Sequence, residues 1–165
     1  GEEKTMAHYH MIKSERQIKD PDEILRLMKN GKYATICMCR NNEPYAVTLS
    51  YGYDQKTGSL YFHSALKGLK MDFIRDNPRV CATIIEDGGY VQNECRHKYA
   101  SIVIFGEMSI IDETEDKKYA MDVLLNHLEQ DAGSLKKRFI KNDKKYDGVA
   151  MLKLKIESIT GKVGE

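Results

Sequence analysis

The sequence has no tryptophan among its 165 residues, only three prolines and four phenylalanines. No apolar run approaches the roughly 20 residues of a membrane-spanning helix, so no span is expected. Charge of one sign is also missing: 26 Lys and Arg face 25 Asp and Glu, a net +1. That falls short of the basic surplus carried by a nucleic-acid-binding domain. There is no G-x-x-x-x-G-K-[ST] run, no G-x-G-x-x-G after a strand and no G-x-S-x-G. A P-loop, a dinucleotide fold and a nucleophile elbow are thereby set aside. The opening GEEKTMAHYHMIK holds no apolar signal core, and the expected location is the cytoplasm, with neither nucleic acid nor membrane as partner.

What remains is an ordinary globular composition, 41% hydrophobic and 31% charged, long enough for one cored domain. Cys37 and Cys39 stand two apart in an apolar strand pattern, so their side chains share a face. Zinc ligands usually come in turns at C-x₂₋₄-C spacing. Buried, reduced thiols are therefore expected at Cys37, Cys39, Cys81 and Cys95, rather than a metal centre drawing in His97.

Asp20-Pro21 reads as N-cap and first position of a helix that Gly31 ends. Two β-rich runs, Tyr33 to Arg40 and Tyr45 to Tyr53, flank the turn Asn41-Asn42-Glu43-Pro44 and predict a hairpin. Ser59 to His63 is a third strand, followed by a short helix to Asp76 that Pro78 stops. Strands are also predicted at Val80 to Glu86, Ala100 to Ile111 and Gly148 to Ile159, with Gly106 as a bend or bulge. Tyr90 to Lys98 reads as an irregular loop. Asp112 and Glu115 predict a capping pair for a helix to about Gln130, and Ser134 to Lys141 a short basic helix. The whole is a mainly β, six-stranded antiparallel barrel over residues 17–163. A helical insert spans 112–141, and residues 1–16 form a mobile or partner-contacting segment.

The chemistry concentrates in LYFHSALKGLK. Ser64 ends a strand with a hydroxyl free to donate, and Gly68 lets the backbone approach a ligand. Free N–H groups open the next helix. Lys67 and Lys70 lie beside its positive end, a placement that an anion would relieve. Phosphate suits this assembly; two solvated surface lysines are the plain alternative. Of the histidines, His8 and His10 read as surface residues and His127 as a packing residue on an apolar helix face. His97 could reach a ligand from its loop, and His63 stands beside the phosphate turn.

The run FHSALKGLKMDFIRDNPRVCATI resembles the flavin-binding segment of the FMN-binding split-barrel superfamily, which includes the pyridoxamine 5′-phosphate oxidases. Ser64, Lys67, Gly68, Asn77, Pro78, Arg79 and Val80 match that segment, with a longer turn. Likeness to the nitroimidazole-resistance (Nim-type) branch extends through GKYATICMCRNNEPYAVTLSYGY, Cys95-Arg96, Phe105-Gly106 and the ITGK ending at Lys162. The resemblance implies a split barrel that dimerises, with FMN at the subunit interface. It assigns the phosphate to His63, Ser64, Lys67, Gly68 and Lys70, and the isoalloxazine to Ala46, Val47, Thr48, Leu49 and Ser50. Cys95, Tyr99 and Ser101 would close the partner's cleft. No catalytic residue is assigned. The implied activity is an FMN-dependent oxidoreductase acting on small acceptors such as nitro compounds, with a nicotinamide donor. The alternatives are a non-catalytic flavin carrier, or a barrel holding haem or a deazaflavin. The C-terminal Trp and Arg-Leu-x-Pro of true pyridoxamine-phosphate oxidases have no counterpart, so that reaction is not expected.

Overall fold

The computed structural model describes residues 12–165; His8 and His10, with most of the N-terminal segment, lie outside the described residues. Seven strands follow the chain: β1 (Tyr33–Arg40), β2 (Glu43–Ser50), β3 (Gly52–Asp54), β4 (Ser59–Ser64), β5 (Arg79–Val91), β6 (Arg96–Ile111) and β7 (Ala150–Gly164). They form one antiparallel sheet in the order β2-β1-β5-β6-β7-β4-β3. The helices are α1 (Pro21–Asn30), α2 (Leu69–Asp76), α3 (Thr114–Leu128) and α4 (Ala132–Phe139), with short 3₁₀ turns at Ser14–Arg16 and Asp143–Gly148. Among the described residues no helix is long and apolar enough to cross a membrane.

The count of seven rather than six comes from one residue. The run expected as a single strand from Tyr45 to Tyr53 divides at Tyr51, into β2 and β3. Tyr51 is wholly buried, and its hydroxyl donates to the Met28 carbonyl of α1 at 2.6 Å. β2 is one edge of the sheet and β3 the other. Because Tyr51 alone separates them, the sheet must curl until its two edges meet at that residue. Elsewhere, among the described residues, the edges stay unpaired, and the barrel is split rather than closed.

Register follows from the turns. Asn41 and Asn42 both take positive φ, 47° and 65°, which makes a two-residue hairpin turn with Arg40 opposite Glu43. The strand therefore starts at Glu43, two residues ahead of the sequence expectation. Pro44 has no N–H, which suits an edge position whose N–H would face away from β1. At the predicted Gly106 the β6–β7 register shifts. A Cβ there would fall 2.2 Å from the Lys155 carbonyl oxygen, so the bulge requires glycine. Tyr90 to Lys98 is not an irregular loop: β5 and β6 pair out to Val91 opposite Arg96. Its polar composition hid the pairing, because residues on a projecting hairpin have no buried face to alternate against.

Alternation also corrects the cysteines. Ala34, Ile36 and Met38 of β1 point into the core, which turns Cys37 and Cys39 outward, both exposed. Cys81, directly opposite Cys37 across β5, is half-buried, and Cys95 is exposed. The core instead holds Leu27 and Met28 of α1, Met71, Phe73 and Ile74 of α2, and the inward residues of the strands. The cap at Asp20 forms as read, its carboxylate accepting from Asp22 N–H at 2.9 Å. The capping pair proposed at Asp112 and Glu115 does not: Glu113 precedes α3 and no side chain caps it.

Candidate functional site

β4 runs in its register with β7 until Ser64 meets Ala150, and the chain then turns away through Ala65–Gly68. Gly68 has φ +141°, a backbone region closed to side-chain-bearing residues without strain. Its carbonyl accepts from Met71 and Asp72 N–H, so α2 starts immediately beyond it and its first N–H groups face the turn. Leu66 and Leu69 are each nearly half exposed around it. Lys67 is exposed and Lys70 half-buried. Burial pushes the Lys70 ammonium below its usual pKa, and no acidic side chain pairs with Lys67 or Lys70 among the described residues. A desolvated cation without a counter-ion, at the positive end of a helix, fits a bound phosphate.

Ser64 departs from expectation. It is buried, and its hydroxyl donates to the Ala65 carbonyl at 3.1 Å, with Met71 Sδ at 3.8 Å. To serve a phosphate it must turn away from that carbonyl. His63 points outward from β4 opposite Met151, free of any hydrogen bond among the described residues.

The second half of the site is the free edge of β2. Tyr51 N–H donates to Lys32 O at 3.1 Å. Alternation from that bond gives Leu49, Val47 and Tyr45 their hydrogen bonds to β1. Ala46, Thr48 and Ser50 therefore turn both N–H and C=O away from β1, and among the described residues no strand lies beyond them. Their side chains are exposed, while Val47 and Leu49 pack against the core. The five-residue stretch Ala46 to Ser50 thus supplies an alternating row of donors and acceptors through three of its members only.

Helix α2 binds the two halves together. The Phe73 ring packs on Tyr45 of β2 with centroids 5.1 Å apart, and the Arg40 guanidinium lies 4.5 Å above Phe73. Arg40 also pairs with Asp76 at 3.0 Å, and Asn77 Nδ2 donates to the Cys39 carbonyl at 2.8 Å. The β2 edge also touches β4 directly. Of these tethers only Asn77 was flagged from sequence; Arg40, Tyr45 and Phe73 carried no motif, because a tether is visible only once its partner's position is known.

Cys95, Tyr99 and Ser101 are not brought to this rim within the chain. They lie at or near the β5–β6 hairpin, with β1 and β5 between β2 and β6. Ser101 faces Ile85 and Lys162 across the sheet. Tyr99 resists ionisation through burial, but the Lys162 ammonium and Arg16 guanidinium beside it outweigh this and hold its phenol below the usual pKa. His97 Nε2 sits 2.6 Å from the Asp87 carboxylate.

The chain from residue 20 to 163 matches the family model described as pyridoxamine 5′-phosphate oxidase. This chain belongs to the pyridoxamine 5′-phosphate oxidase family. Among solved structures of similar fold is a Bacteroides thetaiotaomicron protein named for 5-nitroimidazole antibiotic resistance. It is 25% identical, with 89% of this chain and 86% of that one covered and a TM-score of 0.76. A FAD and haem binding protein of Mycobacterium smegmatis has the same fold at 17% identity, 91% and 74% coverage and a TM-score of 0.71. An uncharacterised protein of Rhizobium meliloti is 24% identical over 99 residues. The match spans 60% of that relative's length and 60% of this chain.

Proposed function

We propose that the protein binds FMN in the cleft between the Ser64–Lys70 turn and the β2 edge, and works as a flavin-dependent reductase of small acceptors such as nitro compounds. One observation carries the reading: Lys70 is half-buried without a carboxylate, at a helix start tethered through Phe73 and Tyr45 to an open sheet edge. In this reading Lys67, Lys70 and the first N–H groups of α2 hold the phosphate, with Gly68 allowing close approach. The backbone of Ala46, Thr48 and Ser50 would hydrogen-bond the polar edge of the ring system, and His63 would contact the phosphate or the ribityl chain. Flavin, when bound, supplies hydride or electron transfer that side chains cannot. N–H donors and ammonium groups fixed around the ring favour negative charge as it develops there, as in an oxyanion hole. A second copy of the chain completes the cleft with its own stretch from Cys95 to Ser101, and a nicotinamide provides the electrons.

Titration of the purified chain with FMN and with FAD, followed by flavin absorbance and fluorescence, tests this. Saturable FMN binding that weakens about tenfold in Lys70→Ala is expected; a chain that takes up neither flavin overturns the reading. Steady-state nicotinamide oxidation with a panel of nitro acceptors then separates a reductase from a carrier that binds flavin without turnover.

A further inference from the structure

The ten residues from Lys136 to Lys145 read KKRFIKNDKK, six cations and one acid in a chain of net charge +1. The rest of the chain is therefore net negative, and positive charge is gathered in one place. That place is firmly built. Asp131 caps α4, accepting from Ser134 N–H at 3.0 Å. Asp122 holds Lys136, and Lys118 takes Asp143 at 2.9 Å. Lys117 Nζ donates to the carbonyls of Tyr146 and Val149. With Lys136 and Asp143 so engaged, Lys137, Arg138, Lys141, Lys144 and Lys145 are exposed and have no acidic partner among the described residues. Cations suit the last turn of a helix, which accounts for Lys137 and Arg138 but not for the three lysines beyond it. Phe139 stands among them, 60% exposed, with the Arg138 guanidinium 4.8 Å from its ring centroid.

We propose that this segment docks the protein peripherally onto membrane surfaces rich in anionic phospholipid. Clusters of four to eight Lys and Arg residues are drawn to acidic headgroups, and an exposed aromatic among them inserts at the headgroup level. A bilayer fits better than a polynucleotide for two reasons. A single aromatic is not the series of stacking platforms that a strand of bases uses. The net-negative remainder can also stay beyond the Debye length of about 8 Å while the insert alone meets a plane.

Co-sedimentation of the purified full chain with vesicles tests the proposal. Binding to vesicles of about three parts phosphatidylcholine to one part phosphatidylglycerol should exceed binding to pure phosphatidylcholine by at least about tenfold in low salt, and vanish at about 0.5 M salt. Lys137→Glu/Arg138→Glu/Lys141→Glu should weaken it at least about tenfold, and Phe139→Ser severalfold without changing the salt dependence. Lys144→Gln/Lys145→Gln, outside the helix, gives the same answer if the triple variant fails to fold. Equal binding to both vesicle types, or unchanged binding in charge variants that keep the wild-type melting temperature, overturns the proposal. Displacement of the protein from vesicles by a stoichiometric single-stranded oligonucleotide also overturns it, and assigns the surface to nucleic acid. Flavin uptake plays no part in this readout.

Discussion

His127 is held as a neutral imidazole on every side. Its Nδ1 accepts from Tyr53 N–H at 3.3 Å, its Nε2–H donates to the Gly31 carbonyl at 2.6 Å, and Tyr51 lies against the ring at 4.8 Å. Burial lowers its pKa from the ordinary 6.5, against the opposing pull of the Gly31 carbonyl. A second proton on Nδ1 would point a donor at the Tyr53 donor. The unfolded chain therefore binds this proton more readily than the folded one, and stability rises with pH across the window. The contribution of His127 is complete above pH 6.5 and is lost as pH falls toward its depressed folded value. Asp54 and Asp87 are also held low, Asp54 by the Tyr119 and Thr57 hydroxyls against burial and Asp87 chiefly by His97. Their losses begin only near the ordinary Asp value of 3.8. Thermal melts between pH 7.5 and 5 should thus show a falling melting temperature that flattens in His127→Gln. At Gly68, substitution by Ala forces a side chain to φ +141° and should cost on the order of 1–3 kcal/mol, measurable by urea titration, with weaker FMN binding. The packing role of His127 was readable from its place on an apolar helix face. The hydrogen bonds on both nitrogens were not, since Gly31 and Tyr53 lie far from it in sequence.

At the scale of elements, α2 links the two halves of the proposed site: its first turn carries Lys70, and its Phe73 packs on Tyr45 of β2. Phe73→Ala should cost about 3–5 kcal/mol and loosen the α2 turn from the β2 edge, so FMN affinity should fall together with the urea midpoint. Phe73→Leu, which keeps most of the volume, should recover much of both; a variant that loses stability yet binds FMN as before would separate α2 docking from the site. The elements bearing strong punctuation were the legible ones. Asp20-Pro21 and Asn77-Pro78 fixed their boundaries, and Asn41-Asn42 marked a turn, through capping and turn chemistry that acts within a few residues. The break at Tyr51 and the long β5–β6 hairpin were not legible. The first depends on a hydroxyl reaching the end of α1, and the second on pairing between two polar stretches. The cysteines were misjudged for a related reason: an apolar strand shows its alternation, but not which face a barrel will enclose.

For the molecule as a whole, the outward face of β1, β5 and β6 is sparingly charged. Tyr33 and Ile85 are 59% and 57% exposed, and Cys81, Val103 and Phe105 stay partly open beside them. The proposed homodimer would cover this face and carry the hairpin of one chain toward the cleft of the other. Light scattering coupled to size exclusion should give twice the monomer mass, and Ile85→Lys should shift it toward monomer and weaken FMN binding with it. A wild-type monomer that binds FMN fully would show that one chain completes the site. The mainly β fold class and the turn that leads from β4 into α2 could be read from sequence because they rest on ordered local patterns. The basic helix from Ser134 to Lys141 was legible, but its continuation through Lys144 and Lys145 was not, since a whole-chain charge of +1 says nothing of where the charges sit.

The strand order has a consequence for the chain's biosynthesis. β2-β1-β5-β6 forms one hydrogen-bonded group and β4-β3 another, and β7 alone joins them. Ser59 of β4 waits for Lys155 as its partner, so the barrel cannot be assembled while β7 is still inside the ribosome. Until then the nascent chain carries two half-sheets that share no strand pairing and have open edges, connected only along the backbone at Tyr51. Such edges are the surfaces on which chains aggregate. Overproduction should therefore leave a larger insoluble fraction in chains shortened within β7 than in chains carrying point substitutions on the barrel surface, and early-binding chaperones should favour the first group.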